Sequence, residues 1–81
     1  MLPAHLIANY WIEVFTDLVE RYGLTPTDAK DAIHAARREL DAIGMGDMTY
    51  HRGSADRADG IAAGWKNGYY RRPAANLPVS A

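Results

Sequence analysis

From Leu6 to Tyr22 the apolar side chains fall at Leu6, Ile7, Tyr10, Trp11, Val14, Phe15, Leu18, Val19 and Tyr22, in alternating steps of one and three. That spacing gathers them on one side of an α-helix and predicts a first helix over about residues 4–22. With Ile12 included, the apolar arc spans roughly 200° at 100° per residue, more than one neighbouring helix covers. Glu13, Asp17 and Glu20 share the opposite side. Gly23, which can take a positive φ, followed by apolar Leu24 predicts a Schellman-type ending.

Thr25-Pro26-Thr27-Asp28 is a helix-start signal: an N-cap hydroxyl, a proline at the first helical position and a carboxylate near the unsatisfied amides. The second helix should run over about 26–43 on a narrow stripe of Ala29, Ala32, Ile33, Ala36, Leu40 and Ile43, small enough to accept the large residues of the first helix at close range. Residues 44–53 carry three glycines and no helical period, and read as an irregular loop with a short extended piece at Met48 to His51. Ser54 then reads as the N-cap of a third helix to about residue 67, buried along Ala55, Ala58, Ile61, Ala62 and Trp65. Gly60 and Gly64 each weaken it by about 1 kcal/mol relative to alanine, and Gly68 ends it. The fold expected is an all-α, three-helix domain over residues 1–72 with a flexible C-terminal tail, 73–81.

Composition sharpens this picture. The 81 residues suffice for one small domain, and because 14 of them are alanine the core is thin. A chain of this size buries only about 60% of its unfolded surface, so a disulfide, a metal or a partner is wanted. Cysteine is absent, which removes disulfides and thiolate zinc sites. His5, His34 and His51 lack the pairing of a metal motif and read as surface or edge residues. No metal or cofactor is therefore expected, and a partner subunit is. No basic leader, long apolar run or cysteine is present, and the reading is a cytoplasmic protein without a membrane segment.

Charge is divided along the chain. Residues 1–49 hold four basic and eight acidic side chains, and residues 50–81 hold five basic and two acidic, so the C-terminal part suits an anionic partner. There Lys66, Tyr69, Tyr70, Arg71 and Arg72 interleave cations with rings. No nucleophile elbow, phosphate loop or concave acid–base constellation is visible, which argues against an enzyme. Arg37 and Arg38 read as a solvated face. The expected function is a non-catalytic, self-associating protein–protein interaction module of the accessory-subunit or inhibitor type, the kind phages and mobile elements encode. Its contact residues would be Tyr10 and Tyr22, at the margins of the first helix's arc, with the basic segment Lys66 to Arg72. The alternative is a nucleic-acid-binding accessory protein using Arg52, Arg57, Lys66, Arg71 and Arg72 on phosphates and Tyr69 and Tyr70 for stacking. Its overall acidity, with a pI near 6.2, weighs against that.

Overall fold

The computed structural model describes residues 2–70. The expected tail, with Arg71 and Arg72, lies outside them. Three helices form the all-α domain: α1 (Ala4–Glu20), α2 (Pro26–Ala42) and α3 (Ser54–Lys66). A 3₁₀ segment, Gly46–His51, connects α2 to α3.

Local chemistry explains most of the boundaries. Thr25 Oγ1 accepts from the Asp28 amide at 3.0 Å, with Pro26 at the first helical position, as the start signal predicts. At the end of α2, Gly44 has φ +75°; Met45 N–H donates to the Leu40 carbonyl at 3.2 Å and Gly44 N–H to that of Asp41 at 3.1 Å. These are the two bonds of a Schellman motif. The same pair recurs after α3, where Tyr69 reaches Gly64, Gly68 reaches Trp65, and Gly68 has φ +81°. The turn after α1 is wider: Leu24 N–H donates to the Leu18 carbonyl at 3.0 Å, Gly23 has φ +74°, and Leu24 is buried.

Two local expectations are corrected. Ser54 does not cap α3. Gly53 occupies that position, its carbonyl accepting from Arg57 N–H, while the Ser54 hydroxyl donates across to Glu13 Oε1 at 2.8 Å and ties α3 to α1. The 44–53 stretch is not an irregular loop with an extended piece, since six of its residues form the 3₁₀ segment. Its turn begins with Met48 N–H on the Met45 carbonyl, and its Thr49 is buried against the helices.

The core is Trp11, Val14 and Leu18 from α1, Leu24, Ala29, Ala32 and Ala36 from the turn and α2, and Ala58, Ile61 and Ala62 from α3. Large residues of α1 thus lie over alanines, as the narrow stripe of α2 implies. The more extensive partner of α1 is nevertheless α3. That choice decides which margin of the wide α1 arc is covered. Leu6, Ile12 and Ile43, all on expected apolar faces, are exposed, Ile12 at 59%. Ala55 is exposed too, whereas Arg57 is buried. Among the described residues no helix is long and apolar enough to cross a membrane.

Candidate interaction surfaces

The α1–α3 seam takes up the residues that the arc margins nominate. Tyr10 Oη donates to the Arg52 carbonyl at 2.9 Å and accepts from Arg57 Nε at 3.1 Å, while Arg57 Nη2 donates to the Thr49 carbonyl at 2.7 Å. One phenol and one guanidinium therefore clamp the 3₁₀ segment onto α1 and α3. The rings of Tyr10, Trp11 and Tyr50 meet edge to face at centroid distances of 4.9–6.2 Å, a favoured aromatic geometry. Trp11 Nε1–H donates to Tyr50 Oη at 3.1 Å, so the indole is satisfied inside the core. Tyr22 donates to Asp59 Oδ1 at 3.1 Å. Burial first, and then the bond to Asp59, hold its phenol above the ordinary tyrosine value.

Arg57, expected among cations reaching a partner or phosphate, is only 9% exposed, with both of its hydrogen bonds internal. It leaves the list of surface cations. Tyr10 and Tyr22 are half-buried and bind α3 and the 3₁₀ segment rather than presenting a free edge. Arg52 and Lys66 stay exposed, Arg52 with its guanidinium over Gly60. Tyr69 donates to Glu39 Oε2 and stacks edge to face on Tyr70 at 4.9 Å. Tyr70 lies flat enough on α3 that a Cβ on Gly64 would stand 2.4 Å from its Cε2. Burial, followed by the charge of Glu39, raises its pKa as well.

What remains open is the opposite margin of the arc. Ala8, Trp11, Ile12 and Phe15 of α1 and Ile33 of α2 line a groove of about 340 Å³, with Lys30, His34 and Arg37 along its α2 side. The Arg37 guanidinium lies over the Trp11 ring, 5.1 Å from its centroid, a cation–π contact that holds one rim cation in place. The sequence contained one signal for this groove: Ile12 extends the arc on the side away from Tyr10, toward a helix whose facing residues are mostly alanine and cannot reach across. The rim went unread because Arg37 and His34 look like ordinary solvated positions in a one-dimensional pattern.

Comparison with protein-family models, with curated proteins and with solved structures gives no match.

Proposed function

We propose that the chain is a non-catalytic protein–protein interaction module of the accessory-subunit or inhibitor type, and that it makes contact through the α1–α2 groove. The observation that carries this reading is an apolar floor with an exposed Ile12, bordered on one side by the cations Lys30 and Arg37 with His34 between them. An amphipathic helix with carboxylates on one flank complements such a groove in both shape and charge.

One helix of this chain has that pattern, and it is α1 itself. At 100° per residue Ile12 and Ala8 form its groove-side stripe, and Glu20 and Glu13 follow on the outer flank. A second copy laid antiparallel across a two-fold axis near Ile12 sets Ile12 and the apolar floor of one groove against those of the other copy. The proposed module therefore self-associates, consistent with its alanine-rich core.

Sedimentation velocity from low micromolar to sub-millimolar protein tests this. The expected result is a monomer–dimer equilibrium that Ile12→Glu abolishes while the circular dichroism stays unchanged. A protein that sediments as a monomer throughout, with Ile12→Glu indistinguishable from it, would refute self-association through the groove.

A further inference from the structure

Arg57 is an unusual charge to bury. Its two internal hydrogen bonds go to neutral oxygens, the Tyr10 phenol and the Thr49 carbonyl. Among the described residues no carboxylate pairs with it. A guanidinium carries five N–H donors; these bonds engage Nε and one donor on Nη2, which leaves three without an acceptor among the described residues. The residue also sits in the opening turn of α3, where the helix dipole opposes a positive charge. Buried cations are ordinarily paired.

Beside it is a pocket of about 180 Å³ between α2 and α3, lined by Arg57, Arg52, Glu39, Gly60, Ile61 and Tyr70 among others. One glycine shapes it: Gly64 lets the Tyr70 ring settle as a wall, where a Cβ would stand 2.4 Å from Cε2, while the Arg52 guanidinium lies over Gly60 at ordinary contact distance. The charged lining, two guanidiniums and one carboxylate, sums to plus one. Sites for drug-sized ligands start near 300 Å³, so only a small group fits.

We propose that this pocket binds a single carboxylate group, held between the guanidiniums of Arg57 and Arg52. One negative charge neutralises the site, whereas a phosphate dianion would bring a second charge up to Glu39. A planar carboxylate also matches the edge of a guanidinium, on which two donors lie parallel. The carboxylate comes either from a free short-chain acid or from an acidic side chain of a bound protein. The pocket shares no lining residue with the α1–α2 groove, so it stands or falls independently of self-association.

The test is a titration of the protein with sodium acetate, and separately with an amide-capped Gly-Asp-Gly peptide, against sodium chloride and sodium phosphate at matched ionic strength. The readout is the Arg57 Nε–H resonance in ¹H–¹⁵N spectra. A saturable shift with millimolar affinity is expected from at least one probe. Tighter binding of the peptide assigns the group to a protein partner, and tighter binding of acetate assigns it to a free acid. Arg52→Gln should weaken binding about five-fold and Glu39→Gln should strengthen it by a similar factor, the scale of one partly exposed charge contact. Both positions are exposed, so neither variant puts folding at risk. Lys66→Gln should change nothing. Linear, unsaturable shifts with both probes, tighter binding of inorganic phosphate than of acetate, or a Glu39→Gln variant that binds no better than the parent would each overturn the proposal.

Discussion

Tyr10→Phe removes one oxygen and leaves the ring, so the edge-to-face contacts with Trp11 and Tyr50 survive while the clamp on the 3₁₀ segment is cut. Two hydrogen bonds disappear, Arg57 Nε to the phenol at 3.1 Å and the phenol to the Arg52 carbonyl at 2.9 Å. A bond from a charged donor contributes about 1.5–3 kcal/mol and a neutral one about 0.5–1.5 kcal/mol. The Arg52 carbonyl is on the exposed side and regains water, so most of its share returns. Arg57 is buried and regains little. The net cost is about 2 kcal/mol, set against a total of about 4–10 kcal/mol for some 70 ordered residues. A thermal midpoint lower by about 10 °C or more follows for a domain of this size. Urea unfolding followed by tryptophan fluorescence and far-ultraviolet circular dichroism measures it. Arg57→Met and the double variant complete a cycle whose coupling energy should exceed about 1 kcal/mol. A Tyr10→Phe variant within about 0.5 kcal/mol of the parent, or strictly additive changes in the cycle, would show that the clamp contributes nothing.

Further outcomes are expected from the same contacts. Gly60→Ala should stabilise by about 0.5–1 kcal/mol, because its Cβ would meet the Arg52 guanidinium at an ordinary contact distance of 3.4 Å and alanine is the better helix former; Gly64→Ala should destabilise by about 1–2 kcal/mol or eject the Tyr70 ring, which its Cβ would overlap. Paired chemical denaturation curves give both signs, and a stabilising Gly64→Ala would contradict the packing described. Thr25→Ala should cost about 1 kcal/mol through loss of the cap on Asp28 N–H, read as a lower urea midpoint at unchanged slope. Tyr22 and Tyr70 have raised pKa values in the folded state, so the native protein holds more protons than the unfolded chain above about pH 10. Their contribution should be intact below that pH and be lost as pH rises through the folded values; absorbance titration at the phenolate band should show two late-ionising tyrosines, and stability that rises above pH 10 would reverse the sign.

Features that depend on neighbours in the chain were legible in the sequence, and features that depend on which helix covers which face were not. Thr25, Pro26, Asp28, Gly44 and Gly68 act within a turn of their own position, so the composition around them is enough to place helix ends. Tyr10 and Ile12 are alike in one dimension, two margins of one apolar arc. Only the placement of α3 beside Tyr10, rather than beside Ile12, makes one a clamp and the other the exposed edge of a groove. Arg57 offered a hint that charge obscured, since it lies four residues before Ile61 and shares that buried face. A cation on an apolar stripe is normally read as solvated, and its burial depends on the Thr49 carbonyl arriving from the 3₁₀ segment. That segment was missed because its glycines dominate the local pattern, while the Tyr50 hydroxyl finds its partner, the Trp11 indole, on a helix some forty residues earlier.

The dependence of α1 on α3 sets an order of events during folding. Until α3 docks, the α3-facing side of the first helix and its turn, with Tyr10 and Tyr22, lacks its cover, and the 3₁₀ segment cannot close because Arg57 is not in place. Through that interval the two-helix piece carries an apolar flank that the finished domain conceals. The chain is therefore most vulnerable to wrong association before α3 has docked, and a change that slows that docking would lengthen the exposure without altering a single contact in the folded protein.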